Sequence, residues 1–140
     1  MEQLYDQFQR KIDYLRLSIT DRCNLRCVYC MPEEGLKFFP KDKIMSQDEI
    51  IQLVQNFAKM GITKVRLTGG EPLLYKSLEE LLEYGYELGF NQILITNGVL
   101  LEQKNIRKAL KYINSLGVSI HGNEKIHNKL SKRDCYKQII

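Results

Sequence analysis

Short strand-like runs alternate with amphipathic helical patterns along most of this chain, and that alternation restricts its fold more than any other feature. Four runs have the length and apolar content of strands: residues 14–19, 64–67, 92–95 and 118–120. Three helical patterns follow the first three runs, over residues 46–61, 77–89 and 103–115, and a further helix is expected in the tail to residue 140. Such alternation predicts parallel strands with right-handed crossovers, hence an α/β fold: a doubly wound sheet or a (β/α) barrel with about four βα units.

Two of the helices carry start and stop signals. Ser46 and Glu49 have the spacing of a capping box, and Gly61 ends that pattern. Ser77 repeats the arrangement, with Glu80 three residues on and Gly89 near the end. The side chains of this second helix predicted to face inward are Leu78, Leu81, Leu82 and Tyr86.

Length and composition predict one soluble domain and exclude some partners. The 140 residues suffice for a single core, and a net charge of +4 is too small to indicate nucleic acid. No apolar run approaches the ~18 residues that would span a membrane. The first 14 residues are polar, unlike a secretion signal, so we expect a cytoplasmic protein.

Polar or glycine-rich segments follow all four predicted strands, at residues 20–30, 68–72, 96–98 and 119–122. The carboxyl ends of parallel strands meet at one edge of the sheet, where active sites form. We therefore expect these segments to share a site. Gly69 and Gly70 would permit close approach of the backbone to a ligand, and Glu71 could accept a hydrogen bond from a cationic amine. A plain turn with an exposed acid is the alternative.

The first of these segments contains Cys23, Cys27 and Cys30 in a CxxxCxxC spacing. Three thiolates are one short of the four that complete an ordinary iron–sulfur or zinc site, so one iron of a cluster would keep an open position. A structural zinc site, with a fourth ligand elsewhere, is the alternative. The candidate fourth ligands are His121, His127 and Cys135. No second CxxC or HxxxH pair is present, and Cys135 is interpreted as a spare thiol.

Charged and aromatic residues near the cysteines suggest further roles. Arg22 and Arg26 could offset the negative charge of a cluster, and Tyr29 could pack on an adenine ring or in the core. Arg16 and Arg66 lie near strand ends. Pointing into a barrel, each would need a carboxylate or phosphate partner; strand alternation also allows both to point outward.

Three segments resemble the GTP 3′,8-cyclases of molybdenum cofactor biosynthesis, which are radical S-adenosylmethionine (SAM) enzymes. These are LRLSITDRCNLRCVYCMP at residues 15–32, KVRLTGGEPLL at 64–74 and TNG at 96–98. The resemblance implies a partial (β/α) barrel of the radical SAM type. It also implies a 4Fe–4S cluster on Cys23, Cys27 and Cys30, with SAM against Tyr29, Gly69, Gly70, Glu71 and Ser119, and GTP against Arg16, Arg66 and Thr96.

By the same resemblance, the reduced cluster would cleave SAM to a 5′-deoxyadenosyl radical. That radical would abstract hydrogen from the ribose of GTP and start its attack on C8 of the guanine. A small reductant protein such as flavodoxin or ferredoxin would supply the electron. The cofactor carries out the radical chemistry, and the protein orients the reactants and excludes water.

Two departures from the cyclase pattern keep alternatives open. Residues 119–122 read SIHG where the cyclases usually have SLD, which is more like radical SAM enzymes that modify peptides. The chain also has about four of the superfamily's usual six βα units. We therefore expect residues 1–140 to be the N-terminal part of a radical SAM core domain, without a second cluster region. A non-catalytic module that binds cluster or SAM is possible, and an open sheet edge would favour a homo-oligomer.

Overall fold

A computed structural model describes residues 3–31, 34–35 and 37–140, and its four strands form one parallel sheet. The strands are β1 (Tyr14–Ser18), β2 (Lys64–Thr68), β3 (Asn91–Thr96) and β4 (Ser115–Val118), and they lie side by side in chain order. The predicted α/β class and parallel sheet are confirmed. Pro32, which belongs to the first of the three resembling segments, lies outside the described residues.

Helices connect the strands and continue beyond the last one. They are α1 (Gln47–Lys59), α2 (Leu78–Glu87), α3 (Lys104–Ala109), α4 (Glu124–Ser131) and α5 (Tyr136–Ile139). Single 3₁₀ turns cover Lys41–Lys43, Pro72–Leu74 and Leu110–Tyr112. In the part of the chain that the structure describes, no helix is long and apolar enough to cross a membrane.

The two faces of the sheet differ in chemistry because strand side chains alternate between them. The helix-covered face is apolar: Leu17, Val65, Leu67 and Leu94 pack against Ile50, Val54, Leu81, Leu82 and Ile106 in one buried cluster. On the opposite face, Arg16, Arg66, Ile93 and Ser115 form one row across the four strands. The core therefore lies on one side of the sheet, and two neighbouring guanidinium groups lie on the other.

The structure has the predicted capping box at the start of α1 but not at the start of α2. Ser46 Oγ accepts a hydrogen bond from the Glu49 N–H (3.3 Å), and Glu49 Oε2 accepts one from the Ser46 N–H (2.7 Å). Ser77 makes no such bond, because its ψ of 34° departs from the extended conformation that aims a capping side chain at the first turn. The predicted second capping box is therefore wrong.

The inward face of α2 also differs from the prediction. Tyr86 is 61% exposed, and Gly85 occupies the buried position beside it. A Cβ at Gly85 would lie 2.2 Å from Oε1 of Gln92, whose side chain is buried and donates to the Leu82 carbonyl (2.6 Å). The inward position on this turn of α2 is thus Gly85, whose missing side chain leaves room for a polar side chain from β3.

The third helix is shorter than predicted, and the fourth strand begins earlier. Asn114 interrupts the helical pattern, because its N–H donates to the Gln92 carbonyl (2.8 Å) and its Oδ1 accepts from the Gln92 N–H (2.7 Å). These two bonds start the β3–β4 pairing at Ser115. Ser119 and Ile120, predicted within a strand, consequently lie in the loop after it.

The tail contains two helices where one was predicted. Lys132, in a left-handed conformation (φ 52°), ends α4. Oδ1 of Asn128 then accepts hydrogen bonds from the N–H groups of Cys135 (3.1 Å) and Tyr136 (3.0 Å), which turns the chain into α5.

The contrast between the two serines can be tested directly. We expect Ser46→Ala to lower the free energy of unfolding by about 1 kcal/mol, because the α1 cap is lost. Ser77→Ala occupies the same position of α2 and should change it by less than about 0.5 kcal/mol. Urea denaturation followed by circular dichroism measures both. Equal effects of the two substitutions would contradict this assignment.

Candidate functional site

A pocket opens at the carboxyl ends of the strands, and it brings the four predicted segments together. The segment that carries the three cysteines, residues 20–31, is called the cysteine loop below. Of the residues predicted to bind cluster, SAM or GTP, those that line the pocket are Cys23, Cys27, Tyr29, Cys30, Gly69, Gly70, Glu71, Thr96 and Ser119. Arg16 and Arg66 lie outside it, further down the open face of the sheet.

The three cysteines of the loop are free thiols. Cys23 and Cys27 are half-buried and Cys30 is exposed, and the N–H of Cys30 donates to the Cys27 carbonyl (2.9 Å), closing a turn between the last two. Among residues 3–31, 34–35 and 37–140, no three cysteine, histidine or acidic side chains converge as the ligands of one metal ion would. A cubane cluster takes each thiolate on a different iron, so three separated thiols facing one pocket fit it better than zinc.

Burial changes the acidity of the first thiol. The pKa of Cys23 is raised by desolvation, against a hydrogen bond from the Leu25 N–H (3.4 Å), and the negative charge of Glu71 adds to the increase. Cysteine binds metals as the thiolate. Cys23 would therefore release a proton when a cluster is bound.

Both arginines of the cysteine loop approach the ring of Phe38 with their guanidinium groups. That of Arg26 lies 5.9 Å from the ring centroid and donates to the carbonyls of Cys23 (2.9 Å) and Leu25 (2.8 Å). Arg22 lies over the ring of Phe38, 4.4 Å from its centroid, and donates to the Phe39 carbonyl (3.3 Å). Arg22 thus connects the cysteine loop to the segment before α1.

Gly69 and Gly70 lie against the protein's own backbone. The N–H of Gly70 donates to the Thr20 carbonyl (2.8 Å), and that of Glu71 to the Arg22 carbonyl (2.7 Å). A Cβ at Gly70 would lie 2.3 Å from the Arg22 oxygen, and one at Gly69, where φ is +146°, 2.4 Å from the Thr20 oxygen. The start of the cysteine loop therefore requires both glycines, before any ligand is considered.

The carboxylate of Glu71 is buried, with 1% of the residue exposed, and holds two of these loops together. It accepts hydrogen bonds from the Thr96 hydroxyl (2.6 Å), the Asn97 N–H (2.8 Å) and the Leu73 N–H (3.1 Å). Desolvation raises the pKa of Glu71, and these three donors oppose the increase. The predicted hydrogen bond from a cationic amine to Glu71 stays a prediction. The carboxylate that would accept it already has three donors.

Asn24 and Asn97 are site residues that the sequence reasoning missed. Nδ2 of Asn97 donates to Oδ1 of Asn24 (2.7 Å), which ties the cysteine loop to the end of β3. Oδ1 of Asn97 accepts from the Val99 N–H (3.1 Å). The TNG segment at residues 96–98 pointed to Asn97, but Asn24, the side chain to which Asn97 donates, is 73 residues earlier in the chain.

Tyr29 and the histidines form a connected set behind the pocket. The Tyr29 hydroxyl is 2.6 Å from Nε2 of His121, and the two rings meet edge to face with centroids 5.0 Å apart. His121 stacks on the buried ring of His127 (5.4 Å between centroids, 13° between planes). Nε2 of His127 lies 3.5 Å from Sγ of Cys135. Cys135 is a free thiol, but it is buried beside Leu25 and Val99 beneath the cysteine loop.

The pKa values of two groups in this set, Tyr29 and His127, are shifted in the direction that favours the neutral form. The pKa of the Tyr29 phenol is raised, first by desolvation and then by the neighbouring Cys27 side chain. Burial lowers the pKa of His127, and the nearby His121 lowers it further. A neutral His127 can accept the His121 N–H at Nδ1 (3.3 Å) while its Nε2 carries the proton toward Cys135.

Arg16 and Arg66 are paired in register on adjacent strands, on the face opposite the helices. Arg16 is exposed and Arg66 half-buried, and the Nε of Arg66 is buried with no hydrogen-bond partner. No carboxylate within the described ranges pairs with either guanidinium. Two like charges side by side with an unsatisfied donor favour an anionic ligand there.

The sequence profile of the Radical SAM superfamily matches residues 17–140. This chain belongs to the Radical SAM superfamily. The predicted cofactors, a 4Fe–4S cluster and SAM, are those of the superfamily, and the three free thiols facing the pocket fit such a cluster.

Relatives narrow the resemblance within the superfamily. Over 82 residues the chain is 67% identical to the GTP 3′,8-cyclase of Lactiplantibacillus plantarum and 57% identical to that of Listeria monocytogenes. The Molybdenum cofactor biosynthesis protein 1 of Dictyostelium discoideum is 55% identical over 80 residues. The bacterial matches cover 59% of this chain but 25% of each relative, and the Dictyostelium match covers 57% and 13%. The predicted resemblance to this group is confirmed, for about a quarter of the bacterial relatives' length.

Solved radical SAM structures share the fold. SuiB of Streptococcus suis, bound to S-adenosylmethionine, matches with a TM-score of 0.69 over 86% of this chain and 26% of its own, at 21% identity. The anSMEcpe structure with bound AdoMet matches with a TM-score of 0.68 over 90% of this chain and 36% of its own, at 24% identity. The predicted partial barrel of radical SAM type is confirmed by these likenesses, which concern the fold alone.

The close approach at Gly70 predicts a large effect of one methyl group in this radical SAM chain. Gly70→Ala should lower the free energy of unfolding by about 3 kcal/mol or more, because the clashing Arg22 carbonyl is backbone and cannot rotate away. Thermal and urea unfolding measure it. Gly89→Ala is the control: there φ is +78° with nothing within 4 Å, so only backbone strain of about 1 kcal/mol is expected. Similar losses of unfolding free energy in both variants would contradict the close packing of Gly70 against the cysteine loop.

Proposed function

We propose that this chain is the N-terminal part of a GTP 3′,8-cyclase. It would bind a 4Fe–4S cluster and SAM in the pocket and GTP beside it. The observation that carries the proposal is the pocket itself, in which all three free thiols face the loops after β2, β3 and β4. Identity of 55–67% to cyclases and to a molybdenum cofactor protein supports the choice of reaction. With GTP and SAM as reactants, the cytoplasm is the proposed compartment.

Within this proposal, the thiolates of Cys23, Cys27 and Cys30 would be the protein ligands of the cluster. When bound, the cluster supplies the electron that cleaves SAM reductively to methionine and a 5′-deoxyadenosyl radical. The protein binds and orients the cofactor: Tyr29 toward the adenine, with Gly69, Gly70, Glu71 and Ser119 along the rest of the molecule. Flavodoxin or ferredoxin is the proposed source of the electron.

Glu71 has capacity for one further donor in this role. A carboxylate offers about four acceptor positions, and Thr96, Asn97 and Leu73 occupy three. An amino group of SAM would take the last. Since the carboxylate is already fixed by its three partners, such a contact would need no rearrangement of the side chain.

The arginine pair is the proposed site of the GTP triphosphate. Arg16 and Arg66 are register partners, so two guanidinium groups could bind one phosphate chain, and the unpartnered Nε of Arg66 would gain an acceptor. Thr96 is more restricted, because its hydroxyl donates to Glu71 and accepts from the Gly98 N–H (3.0 Å). Its proposed contact with GTP would therefore be as an acceptor, to a hydroxyl or amino group.

A radical SAM enzyme that modifies a peptide is the second candidate, because His121 at the pocket departs from the cyclase sequence. SuiB, solved with its precursor peptide SuiA, shares the fold with a TM-score of 0.68 at 22% identity. Binding of GTP would favour the cyclase, and its absence with intact SAM cleavage would favour the peptide enzyme.

The proposed function is tested by anaerobic reconstitution of the chain with iron and sulfide, reduction, and chromatographic measurement of 5′-deoxyadenosine released from SAM. Release should be lost in Cys27→Ala and retained in Cys135→Ser, which removes a thiol outside the triplet with little change in side-chain volume. A wild-type chain that takes up no iron–sulfur cluster, or a Cys27→Ala variant that still releases the product, would refute the proposal. If the wild-type chain binds the cluster but releases no 5′-deoxyadenosine, the non-catalytic module that binds cluster or SAM is the hypothesis that remains.

The GTP site gives a separate prediction. Arg66→Ala should weaken GTP binding about 10-fold or more, the value of one charge-assisted contact of ~1.5–3 kcal/mol, and leave the iron content unchanged. Isothermal titration with GTP measures it. Arg107→Ala, an exposed arginine paired with Glu102, serves as the control and should bind GTP as the wild type does. Unchanged affinity in Arg66→Ala would remove the arginine pair from the GTP site.

A further inference from the structure

The second half of the cysteine loop rests on the C-terminal end of α4. The N–H of Val28 donates to the Leu130 carbonyl (2.9 Å), and that of Arg26 to the Ser131 carbonyl (3.4 Å). The last carbonyls of a helix have no partner within it, so an irregular loop can take them as acceptors. This backbone contact sets Tyr29 beside the loop that precedes α4.

On its own loop Tyr29 has the Cys27 side chain as a neighbour, and across the pocket wall its side-chain partner is His121. Although 62% of Tyr29 is exposed, its hydroxyl is 2.6 Å from Nε2 of His121. The edge-to-face contact of the rings adds a second constraint on its orientation. An exposed tyrosine without such a partner would sample several rotamers.

His121 is itself fixed from behind. Its ring stacks on that of His127, and its backbone N–H donates to Nδ1 of His127. His127 is buried, with Cys135 at Nε2 and the ring of Tyr136 5.8 Å from its own. The His121 side chain therefore contacts Tyr29 on one side and the buried ring of His127, on α4, on the other. In this way it connects Tyr29 to α4.

We propose that His121 is a positioning residue that holds the ring of Tyr29 at the wall of the pocket, preorganised for the adenine of the cofactor. This inference rests on the proposed binding of SAM. His121 acts through Tyr29 and touches no reacting atom. Without it the ring must be ordered when the cofactor binds, and ordering one side chain corresponds to about a three- to tenfold loss of affinity.

The test is the dissociation constant of SAM, by equilibrium dialysis with the anaerobically reconstituted chain. His121→Phe and Tyr29→Phe should each weaken SAM binding about three- to tenfold, with the iron content and the unfolding temperature unchanged. The double variant should be no weaker than either single one, because both remove the same bond. His121→Gln, whose amide can still bond to the phenol, should restore most of the affinity.

Unchanged SAM affinity in His121→Phe, or additive losses in the double variant, would overturn the inference while leaving the proposed function intact. A wild-type chain that holds no cluster or SAM would refute the proposed function instead. A cofactor-free readout covers that case: nuclear magnetic resonance of ε-carbon-labelled tyrosine, with the Tyr29 signal assigned by Tyr29→Phe. In His121→Phe and His121→Ala the Tyr29 signal should move toward the position of free tyrosine, and in His121→Gln it should not move. If the signal is unmoved in both His121→Phe and His121→Ala, then His121 does not order the Tyr29 ring and the inference is wrong.

Discussion

The hydrogen bonds of the buried Glu71 carboxylate join the loops that make the pocket. Thr96 and Asn97 donate to it from the end of β3, while the Glu71 N–H itself donates to the Arg22 carbonyl at the start of the cysteine loop. A buried carboxylate is tolerated only when its lone pairs are filled, and each donor left without its partner would cost about 1–3 kcal/mol. Because Asn97 also donates to Asn24, the Glu71 carboxylate supports one of the contacts that position the cysteine loop.

The same sheet serves two purposes because its faces are chemically different. The helices cover Leu17, Leu67 and Leu94 on one face, which supplies the apolar burial that stabilises the domain. The other face keeps Arg16 and Arg66 in one row, and Thr68, at the end of β2, reaches the pocket. A ligand whose polar head lies among the loops and whose anionic part lies along the strands would match this arrangement. Stability and recognition are thus provided by alternate residues of the same strands.

The sequence predicted which segments line the pocket better than it predicted the contacts between them. Parallel strands and their polar ends follow from local pattern, so the pocket of Cys23, Glu71 and Ser119 could be expected before the structure. The errors arose where a distant group decides the outcome. Gln92 pairs with Asn114 and so starts β4 early, and its side chain packs against Gly85, which is buried on α2 where Tyr86 was expected. Gly69 and Gly70 line the pocket as expected, and their proposed contact with a ligand stays a prediction. Their close packing against Thr20 and Arg22, which lie 49 and 48 residues earlier, follows from no local pattern.

The cysteine loop takes its shape from the protein on both sides. At its start, the carbonyls of Thr20 and Arg22 accept from Gly70 and Glu71. Further along the loop, the N–H groups of Arg26 and Val28 donate to the carbonyls of Ser131 and Leu130 at the end of α4. The buried side chain of Leu25, packed with Val99 and Cys135, fixes the middle. A loop held in this way is largely ordered before a metal binds, so little conformational entropy remains to be lost on binding. This differs from small zinc domains, in which the metal itself supplies the folding free energy. In this chain the geometry of the cysteine loop is instead set by the GGE segment at residues 69–71 and by α4. A substitution in either element should therefore shift the positions of the cysteines, although it lies outside their loop.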